Sequence, residues 1–327
     1  MGKLRLIGDQ DVRAAISYDT ALDIARRTLL GQAAERSILS TPSAMILDAS
    51  AIGGMKAKFK AASVAHLNAS GIRLLAHPSP TDEAHNYCAI FDHESQSLSG
   101  LVAERWLSRV RTAAFGAASI APLVNPGPLV VTLFGAGGIA REIVPLLARA
   151  LQIRELRVSS RRAESTAAFV AGLAPSVRFP MRAEADGRRA VKDADVVITL
   201  TESPTPLVFP GTLKPGAVVC SMGSYNEVDY GVLREAERLI VDDADFAAEM
   251  GDGGAWIAQR HLTREQFVAR IDALACDVLA GKKPGRRAPA ERIVALIQGM
   301  ASGDVAFAAY ALQEAERTGR GTVTALP

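Results

Sequence analysis

The chain has 327 residues, 49% of them hydrophobic, enough for about two packed domains. Its 37 lysines and arginines nearly cancel its 35 aspartates and glutamates, and 5% of residues are aromatic, so there is neither a field for a polyanion nor a platform for stacked bases. Nucleic acid is therefore not an expected partner. The opening MGKLRLIGDQD lacks the apolar stretch of a secretory signal, and no apolar run approaches the roughly 20 residues of a membrane span. A cytoplasmic chain without a membrane partner is expected.

In chain order, Val12, Ile16, Ala21, Ile24, Ala25 and Leu29 recur at helical spacing behind Asp9 or Asp11, which predicts helix over residues 9–35. From Ser40 to Gly100 the runs SAMIL, MKAKFKAASV, GIRLLA, NYCAIFD and LSGLVAE, punctuated by Gly, Pro, Asp and Ser, predict a meandering antiparallel sheet. Helical spacing returns over residues 102–122, and the NPGP segment from Asn125 to Pro128 reads as a linker. Beyond it LVVTLFG, ELRVSS, DVVITLT, AVVCSMG and RLIVDD alternate with helical segments, the rhythm of a parallel sheet covered on both faces. The alanine-rich stretch from Asp304 to Arg317 predicts a helix that packs back on the first domain. The expected architecture is thus α/β, with domains at 1–124, 125–303 (Rossmann-type) and a C-terminal helix at 304–327. Cys88, Cys220 and Cys276 are far apart, without CxxC or histidine clusters, and are expected as buried or semi-buried thiols rather than a disulfide or metal site.

The strand LVVTLF runs into Gly135-Ala136-Gly137-Gly138-Ile139-Ala140, the GxGxxA form of a dinucleotide turn, with a helix after it and a second strand about twenty residues on. Gly135 permits the tight turn, Gly137 lets backbone approach a pyrophosphate at the helix N-terminus, and Ala140 allows close helix–strand packing. The second strand ends in Ser159-Ser160-Arg161-Arg162, where an NAD site carries an acidic residue. A hydroxyl followed by two guanidiniums suits a 2′-phosphate, so NADP is the expected cofactor with NAD as the alternative. A solvated loop is the other reading of the two arginines.

Joined to WLSRVRTAAFGAAS, DVVITLTESPTPLV and LKPGAVVCSMGSYNEVD, this turn makes the chain resemble the ornithine cyclodeaminase/mu-crystallin family over nearly its whole length. The resemblance implies an N-terminal substrate and dimerisation domain, a Rossmann domain, a homodimer, and hydride transfer at the α-carbon of an imino, amino or keto acid. It places Arg111, in Arg111-Thr112-Ala113-Ala114, at the substrate carboxylate and Thr112 at cofactor phosphate. A guanidinium fork suits that carboxylate chemically; a surface ion pair is the alternative reading. Thr199, Thr201 and Gly223 end successive strands where an open α/β sheet binds its ligand. They are expected nicotinamide-side contacts, or else ordinary strand-end residues.

Three departures from the family pattern bear on chemistry. Ser43 follows Thr41-Pro42 where an arginine is usual, and Arg73 in Gly71-Ile72-Arg73 stands in place of a catalytic lysine. Arg73 can hold and polarise a substrate but cannot readily shuttle a proton. Lys56, Lys58 and Lys60 share one strand face by their spacing of two, and Lys58 is the expected replacement; a solvated face is the alternative. Third, Gly223-Ser224-Tyr225-Asn226-Glu227 lacks the aspartate of the cyclodeaminases, which argues against ornithine cyclisation. The leading expectation is reduction of the C=N bond of a ketimine, a Δ1-pyrroline-2-carboxylate-like or an opine-type imine. An NAD-recycling cyclodeaminase, an alanine dehydrogenase-like enzyme, and an NADP(H)-dependent binding protein without turnover are the alternatives.

Overall fold

The computed structural model describes residues 3–77 and 86–325. Two compact units are present, Met1–Arg111 with Met300–Pro327, and Thr112–Gly299. The first division thus falls inside a continuous helix, not at the NPGP segment expected to separate residues 1–124 from 125–303; the second falls at Gly299, not between 303 and 304.

The chain opens with β1 (Lys3–Ile7), which the sequence reading did not distinguish, then α1 (Asp9–Ala15) and α2 (Tyr18–Ala33). The single helical stretch expected at 9–35 is broken because Ile16 is extended and Ser17 caps α2, accepting from the Thr20 backbone N at 3.1 Å. Strands β2 (Ser37–Leu39), β3 (Met45–Asp48), β4 (Lys56–Val64), β5 (Ala69–His77), β6 (Tyr87–Asp92) and β7 (Leu98–Ala103) lead into α3 (Arg105–Ile120). The second unit follows with β8 (Leu129–Phe134), α4 (Gly138–Ala150), β9 (Ile153–Ser159), α5 (Ala163–Leu173), β10 (Met181–Ala183), α6 (Gly187–Val191), β11 (Val196–Thr199) and β12 (Val218–Ser221). It continues through α7 (Tyr230–Glu235), β13 (Arg238–Val241), α8 (Ala244–Glu249), α9 (Gly251–Ala258), α10 (Arg264–Arg270), β14 (Ala273–Leu274), α11 (Ala275–Leu279) and β15 (Ile293–Leu296). The chain ends with α12 (Ala301–Arg317) and β16 (Thr322–Ala325).

In the first unit the strand order is β16-β1-β7-β6-β5-β4-β2, with β3 also paired to β4. Neighbours run antiparallel, as the meander predicts, apart from the parallel pair β1–β7. Helix α12 packs on β4, β5 and β6. Its small residues are buried almost along its length, and Asp304 is buried among them.

The second unit is a parallel sheet ordered β10-β9-β8-β11-β12-β15-β13-β14. Strands β8, β11, β12, β13 and β15 are buried at every position, as a sheet covered on both faces requires. Three strands of this sheet are absent from the runs expected from sequence, β10, β14 and β15, and β15 is inserted between β12 and β13, so AVVCSMG and RLIVDD are not neighbours. Cys88, Cys220 and Cys276 are free, buried thiols. Among the described residues no His, Cys, Asp or Glu group could hold a metal ion, and no helix is long and apolar enough to cross a membrane.

Candidate active site

In the parallel-sheet unit, β8 delivers the chain into the glycine turn. Gly135 has φ +113 and its N donates to Ser159 O at 2.8 Å; a Cβ there would collide with the Leu200 carbonyl, so only glycine fits. Gly137 is the exposed N-cap of α4, with open space where a Cβ would stand, and Ala140 is buried against the sheet. Ala136, Gly138 and Ile139 are half-buried around it. This bare backbone at a helix N-terminus fits a dinucleotide pyrophosphate. At the end of β9, Ser160 Oγ bonds Thr166 Oγ1 at 2.6 Å, and Arg161 and Arg162 are exposed where α5 begins.

At the ends of β11 and β12, Thr199 is buried, while Thr201 donates through N (2.6 Å) and Oγ1 (2.5 Å) to Glu227 Oε1. A Cβ on Gly223 would strike that carboxylate. Glu227 is thus the strut of this loop, and its burial pushes its pKa up against the hydroxyl and backbone donors of Thr201. Its backbone N, with that of Val228, donates in turn to Asp252 Oδ1 at 2.6 and 2.8 Å, at the start of α9. Burial raises the Asp252 carboxyl to about 7, against its donors. Thr112, on α3, is buried in this unit.

In the first unit the structure assembles a charged cluster. Arg73 on β5 donates through Nε to Glu104 Oε2 at 2.6 Å and through Nη2 to Ser108 Oγ at 2.7 Å, and its Nη1 lies 3.5 Å from Asp304. Arg111 on α3 sets Nε 2.7 Å from Asp304 Oδ1. Arg111 is 5% exposed, which removes the surface ion pair as an account of it. Burial alone would raise the Asp304 carboxyl, but Arg111, Arg73 and Lys60 together hold it below its ordinary value. Burial raises Glu104, opposed chiefly by Arg73.

Of the lysine face, Lys56 is exposed and paired with Asp48, Lys58 is half-buried, and Lys60 is the buried member, 4% exposed and opposite Arg73 in the β4–β5 register. Sequence reasoning chose Lys58 because spacing gives the face but not the depth. Asp304 and Glu104 also escaped it. The available signal for Asp304 was one acid inside the small-residue run ASGDVAFAAYA.

The sequence profile of the ornithine cyclodeaminase/mu-crystallin family matches residues 79–319. The mouse (Mus musculus) ketimine reductase mu-crystallin is 30% identical over 211 residues, 59% of this chain; the chain spans just under two thirds, 66%, of that relative's length. A Δ1-pyrroline-2-carboxylate reductase 2 of Burkholderia ambifaria is 36% identical over 180 residues, 52% of each chain. Among solved structures, the Δ1-pyrroline-2-carboxylate reductase of Thermococcus litoralis, in complex with NADH and L-proline, has a TM-score of 0.88 at 18% identity, covering 97% of this chain and 99% of that one. That is a likeness of fold.

Proposed function

The chain belongs to the ornithine cyclodeaminase/mu-crystallin family, and from that premise we propose that it is an NAD(P)H-dependent oxidoreductase that reduces the C=N bond of an imino acid. The observation that carries this reading is the buried arginine–carboxylate cluster around Asp304, in a chain that also carries a glycine turn fit for a dinucleotide. Relatives named as a ketimine reductase and a Δ1-pyrroline-2-carboxylate reductase support the reaction class.

The bound nucleotide supplies a hydride. The chain's own residues do the rest: Gly135, Gly137 and Gly138 offer bare backbone to the pyrophosphate, and Ser160, Arg161 and Arg162 favour NADP over NAD at the ribose. Thr112, Thr199, Thr201 and Gly223 shape the nucleotide side, with Thr201 and Gly223 set by Glu227. Arg111 takes the substrate carboxylate, while Arg73, engaged by Glu104, Ser108 and Asp304, fixes those groups in place.

The expected assembly is a homodimer. On the sheet face turned away from α12, Leu6, Ile72, Leu74 and Phe91 are exposed, an apolar surface that a second copy of the chain would cover.

The test is a spectrophotometric screen of NADPH and NADH oxidation against Δ1-pyrroline-2-carboxylate and small keto acids, each keto acid with and without ammonia or methylamine. Oxidation that requires a C=N bond, preformed or from keto acid plus amine, supports the reading. Tight nucleotide binding without oxidation of any of these, or ammonia release from ornithine without added nucleotide, overturns it.

A further inference from the structure

Lys60, Arg73 and Arg111 bring three cations to the two carboxylates Glu104 and Asp304, so with every group ionised one positive charge is left over. The sides of the cluster differ: the side chains of Arg73 and Arg111 keep 6% exposure, whereas those of Glu104 and Asp304 keep 0%. What little of these four side chains reaches solvent belongs to the arginines and none of it to the carboxylates.

The excess charge is relieved at Lys60. Burial, reinforced by Arg111, Lys58 and Arg73 and opposed by Asp304, brings its ammonium down to about 7, while guanidiniums stay charged. The groups facing it are Lys58 on its own strand, Arg73 on β5, Arg111 on α3 and Asp304 on α12; Glu104 and Cys88 complete the cluster. Glu104 is committed to Arg73, and burial drives the Cys88 thiol far up, which keeps it neutral. Burial raises Glu104 as well, but its carboxylate is sealed behind Arg73 and bonded to it at 2.6 Å, which leaves Lys60, opposite Arg73 on the neighbouring strand, as the member placed to gain and lose a proton.

We propose that the cluster seats one substrate carboxylate and that Lys60 is the proton donor to the imine nitrogen, an assignment that rests on the imine-reduction reading above. The carboxylate cancels the leftover charge, so Lys60 takes up a proton as the substrate binds. Reduction then adds a hydride from the reduced nucleotide at carbon and the Lys60 proton at nitrogen. The C=N π bond breaks, C–H and N–H bonds form, and neutral Lys60 is reprotonated from solvent.

Calorimetric titration of the full chain with pyrrole-2-carboxylate, a planar carboxylate with no imine, in buffers of different ionisation enthalpy at pH 8 should show uptake approaching about one proton. Lys60→Gln should abolish that uptake. Failure to bind this anion, binding without uptake, or the same uptake in Lys60→Gln overturns the proposal. In turnover at pH 8, Lys60→Gln and Lys60→Arg should lose about 100-fold or more in kcat with neutral Δ1-pyrroline-2-carboxylate. Both should stay within about threefold of the parent with its N-methyl iminium, which needs no proton. Lys60→Arg, which keeps the charge, should keep KM. Equal losses on both substrates would make Lys60 a structural cation and overturn the assignment. If the parent turns over neither compound, the reduction reading fails and the donor assignment with it, and the proton count then decides only whether Lys60 takes up a proton as the cluster seats a carboxylate.

Discussion

Asp304 sits under Arg73 and Arg111, both nearly sealed from solvent, so the cluster's chemistry is carried by individual atoms rather than by a general positive field. The first prediction belongs to Arg111. Arg111→Lys keeps a charge but replaces a planar fork by a point donor. It should lower kcat/KM for a carboxylate-bearing imine by roughly 10²-fold and leave nucleotide affinity unchanged. Steady-state kinetics beside nucleotide titration checks this; turnover within about threefold of the parent would place the substrate elsewhere. A second prediction concerns Asp252, whose pKa burial raises to about 7. A raised carboxyl binds its proton more tightly when folded, so its stabilisation is complete below the ordinary aspartate range and is lost as pH rises towards 7. Asp252→Asn keeps an oxygen for the Glu227 and Val228 amides and removes the titration. Thermal unfolding should then depend less on pH between about 4 and 7 and show a higher midpoint than the parent at pH 8; an unchanged pH profile would show that this group does not titrate there. At this scale the glycines of the turn were legible, because their residue type is demanded locally, while Arg111 was singled out by the family resemblance and lies buried beside Asp304. Lys60, Glu104 and Asp304 were not legible, since their roles arise from strand register and helix docking across more than two hundred residues of chain.

The β8–α4 turn was readable in full, because strand, turn and helix follow one another without a gap and Gly135 has only one residue type that fits. The end of β9 makes a separate prediction. Arg161 and Arg162 stand exposed at the start of α5, where each charge-assisted bond to a 2′-phosphate should contribute about 1.5–3 kcal/mol. Replacing both with alanine should erase a preference for NADPH of at least about tenfold and leave NADH binding nearly unchanged, as measured by fluorescence titration. Equal affinities in the parent would make the arginines a solvated loop. Where the sequence reading failed at this scale, local signals had competed with tertiary ones. Residues 9–35 have one helical periodicity throughout, yet Ser17 satisfies the α2 N-terminus and splits the run. Short β15 has no period-two signature because both of its faces are buried.

For the molecule as a whole, the alternation of strands and helices was enough to give a parallel sheet after residue 128, and the β-like runs before it an antiparallel one. The two units divide within α3 rather than at the NPGP loop, because composition marks the loop while the helix continues unbroken across residues 111 and 112. The exposed apolar face of the first unit's sheet yields a prediction at this scale. Sedimentation should report a dimer, and Ile72→Glu with Leu74→Glu, charges placed on that face, should shift it to monomer while the circular dichroism spectrum is retained. A parent that sediments as a monomer would contradict it. The central claim, hydride delivery to the α-carbon of an imino acid, is tested most directly by isotope transfer. With NADPH or NADH deuterated at the transferring C4 position and Δ1-pyrroline-2-carboxylate as acceptor, mass spectrometry and NMR should find one deuterium on the α-carbon of the amino acid formed. Nucleotide oxidised with no deuterium at that carbon, or nucleotide bound with no amino acid formed, would contradict the account.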